Sequence, residues 1–252
     1  MGALKEMTSV VEIYKTRKAM GEAAGKQAEK YIVKCLERKN VVRVIFAAAP
    51  SQNEMLQYLV SSKTIDLTRV TAFHMDEYIG LPEASPQNFS YFLRENVFRK
   101  IPLGKIHYIR GNAGEAEECK RYSALLTKTP LDVLLCGIGE NGHLAFNDPP
   151  VADFKDPALI KPVILDKACR VQQVRDGCFP SLDKVPKRAL TLTIPILMST
   201  AHAVCTVPGA QKANAVESAL KGPISEKCPA SILRLHRECR IFLDADSGKG
   251  LL

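Results

Sequence analysis

The chain has no tryptophan in 252 residues, no two cysteines at CxxC spacing and no apolar run long enough for a membrane helix, which needs ~18 residues. Without the CxxC spacing the common structural zinc sites are excluded. The eight cysteines stand singly, several in apolar runs such as LDVLLC (131–136) and HAVCTV (202–207). They read as buried free thiols, not a disulfide framework. The first residues, MGALKEMTSV, lack a basic stretch followed by an apolar block, and Glu6 stands where a myristoylation signal wants Ser or Thr. A soluble cytoplasmic protein is the expectation. Repeats, low-complexity tracts and long Gly/Ser/Pro linkers are also missing, so residues 1–252 read as one domain. The net charge of +8 is spread along the chain. Its densest stretches, KTRK (15–18) and RLHREC (234–239), are short and free of interleaved aromatics, so nucleic acid is not an expected partner.

What is present is an alternation. Apolar periodicity predicts helices over 16–38, 51–62, 88–98, 115–126 and 208–222, the last closed by Gly222. Continuous apolar or β-branched runs predict strands over 41–49, 70–78, 105–109, 131–136, 189–194, 202–207 and 239–244. Alternating strands and helices define an α/β protein: three layers, α/β/α, around a mostly parallel, Rossmann-like sheet. Such sheets bind ligands beyond the carboxyl ends of their strands, so those ends are where chemistry is sought.

Four of them carry it. APSQN (49–53) runs from a strand into a helix, with Ser51 as helix cap or anion donor. VTAFHM runs into Asp76 and Glu77, which alternation sends to opposite faces, one toward a cleft and one to cap or pair. LDVLLC runs into GIGENGHLAFND (137–148). There Gly137, Gly139 and Gly142 allow a tight loop close to a ligand, and His143 has Asn141 and Asp148 at hand to fix its tautomer. GIGENG has the letters of a dinucleotide fingerprint, but AFNDPP does not continue as a helix. HAVCTV leads to Lys212 in the first turn of a helix, where a cation is disfavoured unless an anion binds beside it. No metal-ligand spacing and no nucleotide motif accompany these residues, so no metal or cofactor is expected. Together they point to proton transfer on a small phosphorylated molecule.

HMDEYIGLP (74–82), GIGENGHLAFNDPP (137–150), VPKRALTL (185–192) and PGAQKANAV (208–216) together resemble the glucosamine-6-phosphate deaminases, in order and spacing, from about residue 16 to 244. The resemblance implies a cofactor-free deamination coupled to aldose–ketose isomerisation. It implies Asp76 as carrier of the proton between C2 and C1, His143 for ring opening with Asn141 and Asp148 as its orienters, and Ser51, Arg175 and Lys212 on the phosphate. Two positions depart from the family's pattern, which often has Asp where Asn141 stands and Glu where Asp148 stands. The wider superfamily includes 6-phosphogluconolactonases, so lactone hydrolysis and non-catalytic sugar-phosphate binding are the rival readings. The partner is a small phosphorylated amino sugar, and a homo-oligomer is compatible with the resemblance.

Overall fold

The computed structural model describes residues 9–252; the reading of the amino terminus, Glu6 included, lies outside them apart from its last two residues. The strands are β1 (Val10–Tyr14), β2 (Val42–Phe46), β3 (Val70–His74), β4 (Asp76–Tyr78), β5 (Lys105–His107), β6 (Val133–Cys136), β7 (Ile160–Ile164), β8 (Arg188–Leu192), β9 (His202–Val207) and β10 (Cys239–Asp244). The α-helices are α1 (Arg17–Leu36), α2 (Asn53–Ser61), α3 (Phe89–Leu93), α4 (Glu115–Leu126), α5 (Lys167–Arg175), α6 (Ile194–Met198) and α7 (Ala213–Lys221). None among the described residues is long and apolar enough to cross a membrane.

Seven strands form one parallel sheet in the order β1-β10-β9-β6-β2-β3-β5. Alternation along its strands divides the core. On β2, Val42, Val44 and Phe46 face α1, α2 and α3, while Ile45 joins the opposite layer with Tyr122 of α4, Leu197 of α6 and Val216 of α7. The expected three layers follow from this split. The chain winds outward in one direction through β2, β3 and β5, and in the other through β6, β9 and β10. The reversal lies between β2 and β6, and beyond the carboxyl ends of those strands an open α/β sheet leaves a crevice.

One expected strand is two. The run 70–78 breaks at Met75: β3 belongs to the large sheet, whereas β4 joins a second, antiparallel sheet in the order β4-β8-β7. The 189–194 strand lies in that small sheet. Its partner β7 escaped notice because IKPVI carries a proline and shows neither alternation nor a continuous apolar run. Also absent from the expectation are edge strand β1, the polar helix α5 and the short α6. The 88–98 helix is α3 followed by a π turn, Arg94–Phe98. Ser51 does not cap α2; it lies in the single 3-10 turn Pro50–Gln52 that precedes it.

Alternation on β4 separates the two acids as expected. Glu77 turns away from Asp76 and accepts from the backbone N–H groups of Phe89 at 2.9 Å and Ser90 at 2.8 Å, at the start of α3, and from Tyr78 N–H at 3.0 Å. Replacing Glu77 by Ala strands these buried donors. Urea unfolding should show a loss of ~2–4 kcal/mol, with a smaller loss for Glu77→Gln, which keeps an acceptor. A loss under ~1 kcal/mol for the alanine variant would mean that water replaces the carboxylate.

Candidate active site

A cleft opens over the reversal of the sheet, and adjacent strands β3, β2, β6 and β9 each deliver residues to it. At the end of β3 the chain changes sheets. Leu192 N–H donates to Met75 O at 2.7 Å, and Asp76 begins β4 with its side chain lining the cleft. Burial, and then the nearby Glu77 carboxylate, push the Asp76 carboxyl well above its ordinary range. His74 anchors this turn from within. Ile109 N–H donates to its Nε2 at 2.8 Å, so its proton is on Nδ1, which donates to Asp76 O at 2.9 Å. Burial pulls the His74 imidazole down to about 4, and it stays neutral.

After β6 the loop folds back on itself: Gly139 N–H donates to His143 O at 3.0 Å and Gly142 N–H to Gly139 O at 3.0 Å. The His143 ring packs so closely on Gly139 that a Cβ there would lie 2.1 Å from Cε1. Glycine at 139 is therefore a steric requirement. His143 Nδ1 donates toward Asn141 Oδ1 at 2.7 Å and Asp148 Oδ1 at 3.1 Å. Both are acceptors, since Asn141 Nδ2 itself donates to Asp148 Oδ1 at 2.9 Å. The proton is fixed on Nδ1 and Nε2 keeps its lone pair. For Asp148, burial works to raise the pKa, but hydrogen bonds from His143, Asn141 and the Asp166 N–H outweigh it and leave the carboxyl below its usual value. Ala145, at φ 51°, is the one described non-glycine residue in the left-handed region, and it too lines the cleft.

The far end is basic. Ser51 and Gln52 come from the turn after β2, and Gly137 from the start of the β6 loop. After β9, Gly209 (φ 96°) donates its N–H to both oxygens of Asp244, at 2.9 and 3.0 Å, and the turn Ala210–Lys212 leads into α7. Lys212 lines the cleft, is 4% exposed, and its ammonium makes no hydrogen bond or ion pair among the described residues. Burial pulls its ammonium down; the Asp176 and Glu140 charges only partly offset this. Gln52 is also buried, with its Oε1 unpartnered.

Of the residues singled out from sequence, Asp76, His143, Ser51, Gly137 and Lys212 line this one cleft. Asn141 and Asp148 stand behind the imidazole. Arg175 does not line the cleft; it is half-exposed at the end of α5, paired with Glu140, and near enough to act on the Lys212 charge. His74, Gln172 and Gln173 escaped the sequence reading, whereas Gln52 stands beside Ser51 among the donors expected of the APSQN turn. The consecutive glutamines of CRVQQVR, on a helix too polar to show a periodicity, were the available signal. Chain spacing also hides a trio: ligand atoms of His143, Asp148 and Cys169 lie within 4.8 Å of one another. Burial, reinforced by the Asp148 charge, pushes the Cys169 thiol well up, which makes it a neutral neighbour, not a ready thiolate ligand.

A buried acid, an oriented imidazole and an unpaired ammonium in the crevice of a parallel sheet define a class: an α/β protein equipped for proton transfer on a small anionic substrate. More particularly, the chain belongs to the family of glucosamine-6-phosphate isomerases and 6-phosphogluconolactonases, whose model matches residues 15–242. It is 35% identical over 184 residues to a glucosamine-6-phosphate deaminase of Bacillus cereus (strain G9842), covering 73% of this chain and 68% of that one. A monomeric glucosamine-6-phosphate deaminase of known structure superposes with a TM-score of 0.87 at 29% identity, over 95% of this chain and 99% of that one. The 6-phosphogluconolactonase of Thermotoga maritima shares the fold, with a TM-score of 0.76 at 20% identity over 94% of this chain and 99% of that one.

The Lys212 ammonium has a folded pKa below its unfolded value of ~10.4, so it costs stability at every pH at which it stays charged. Lys212→Met should therefore raise the Tm of the ligand-free protein, by ~2–6 °C. Inorganic phosphate should raise the wild-type Tm and leave the variant's unchanged. A destabilised variant that still responds to phosphate would contradict the assignment of this end of the cleft to an anion.

Proposed function

We propose that the protein is a glucosamine-6-phosphate deaminase, converting glucosamine 6-phosphate to fructose 6-phosphate and ammonia. The observation that carries this reading is the unpaired, buried Lys212 in the same cleft as Asp76 and His143. The similarity to deaminases supports the choice of amino sugar. The eight free thiols and a phosphorylated substrate fit a cytoplasmic setting.

Lys212, Ser51 and the Gly137 backbone take the phosphate, and Arg175 leaves Glu140 to join them. His143 Nε2 takes the proton of the anomeric hydroxyl and returns it to the ring oxygen, opening the ring. The Asp76 carboxylate then takes the C2 proton. The electron pair moves into the C1–C2 bond, the aldehyde oxygen takes a proton from the substrate's own ammonium, and an enolamine forms. Asp76 returns its proton to C1, leaving an iminium at C2. Water adds there, ammonia departs with the remaining proton as ammonium, and the ketone remains. A base buried to a raised pKa suits the weakly acidic C2–H.

Ammonia release across hexosamine 6-phosphates, with 6-phosphogluconolactone hydrolysis assayed beside it, tests the activity; lactone turnover without ammonia release overturns it. Asp76→Asn should cut ammonia release ~10²–10⁴-fold and leave sugar-phosphate affinity nearly unchanged. The same variant should be the more stable protein at neutral pH. A raised folded pKa gives stability that is full below the unfolded value of ~3.9 and is lost as pH rises through the folded one. For the same reason kcat/KM should climb as pH rises through that value. An acidic limb at ~3.9 would take the C2 proton away from Asp76.

A further inference from the structure

The two adjacent glutamines of α5 are in opposite states. Gln172 has its amide occupied: Glu140 N–H donates to its Oε1 at 2.9 Å, and its Nε2 donates to Asp176 Oδ2 at 3.2 Å. Gln173 lines the cleft, is 7% exposed, and its amide makes no hydrogen bond among the described residues. Its amide oxygen and nitrogen are not sealed in the core but open onto the cleft, free to pair with a ligand there.

Helix α5 also gives its position along the cleft. Near its start, Cys169 packs with His143 and Asp148, and the Asp76 charge reaches its thiol. Just past its end, Asp176 acts on the Lys212 ammonium, as does Arg175 within it. With a rise of ~1.5 Å per residue, Gln173 sits ~6 Å beyond Cys169 and ~4.5 Å short of Asp176. It faces the middle of a molecule whose reacting carbons meet Asp76 and whose phosphate meets Lys212.

We propose that Gln173 is a specificity-determining residue that hydrogen-bonds the C4 hydroxyl of the sugar and so selects its configuration. This rests on the substrate reading above, in which C1 and C2 lie at one end and the phosphate at the other, leaving C3 to C5 between them. The C5 oxygen is the ring oxygen in the closed sugar, so C4 is the central carbon that bears a hydroxyl in both closed and open forms. An amide that donates and accepts can pair with that hydroxyl in one configuration and not in its epimer.

Glucose 6-phosphate and galactose 6-phosphate are C4 epimers without the amine, and they report binding independently of ammonia release. Calorimetry on the wild type should show the gluco epimer bound about 10- to 100-fold more tightly. In Gln173→Leu that preference should collapse to within about 2-fold through weakened gluco binding, with inorganic phosphate affinity unchanged as the control for folding. Persistence of the preference in Gln173→Leu overturns the inference, as does a wild type that binds both epimers equally or neither. Ammonia release from glucosamine 6-phosphate is measured on the same wild-type preparation. Its absence, with the epimer preference present and dependent on Gln173, overturns the deaminase reading and leaves this one standing.

Discussion

The rest of the structure is arranged around two buried charges that are kept from neutralising each other. Asp76 and Lys212 line one cleft, yet neither is among the charges that perturb the other. The sheet enforces this. The strands that lead into them, β3 for Asp76 and β9 for Lys212, are separated in the large sheet by β2 and β6. An ion pair at contact distance would have made a more stable protein with neither a free base nor a free cation. The β2 and β6 loops supply Ser51, Gly137 and His143, so four neighbouring strands deliver the site. The strands that flank the reversal of winding bring residues far apart in sequence to adjacent loops.

The second sheet does the remaining placement. An acid at the end of a strand that stayed in the large sheet would continue along it and face solvent or a helix. By leaving at Met75 and pairing β4 with β8, the chain turns Asp76 across the cleft while Glu77 points to α3. The same separation gives two like carboxyls different roles. Burial raises the pKa of both, but at Glu77, which acts in folding, backbone N–H groups offset part of the rise, whereas Asp76 has burial with the Glu77 charge beside it and is pushed well up. Neutral His74 locks the carbonyl of Asp76, so the acid is set by its backbone and not by a side-chain partner that would compete with substrate.

The layers and the parallel sheet were legible because they rest on signals one element long: an apolar run such as VRVIF or LDVLLC, or a helical period such as that of 115–126. Asp76, His143 and Lys212 were legible because each violates a local expectation, as an acid after an apolar strand, an imidazole among glycines, or a cation at a helix start. The exchange of sheets at Met75 was not, because the two strands abut without a turn residue and the hydrophobic pattern runs through the break. Gln173 was hidden for a different reason. A glutamine on a polar helix breaks no local rule, and its unpaired state exists only once α5 is laid along the cleft.

The loop behind His143 shows how departures from a family's pattern can offset one another. That pattern often has acids at both the 141 and 148 positions, the second on a longer side chain. Asn141 removes one charge but offers an acceptor at 2.7 Å and a donor that grips Asp148. The Asp166 N–H holds the other oxygen of Asp148 at 3.1 Å, so the shorter acid still reaches Nδ1 at 3.1 Å. The imidazole therefore keeps its tautomer and orientation with one negative charge behind it. A single acid, held below its usual pKa, stabilises an imidazolium less than two would. It also avoids a second buried like charge, whose repulsion would drive one of the pair to take up a proton. What this arrangement preserves is direction, and a proton passing between two oxygens of one sugar depends on direction more than on added basicity.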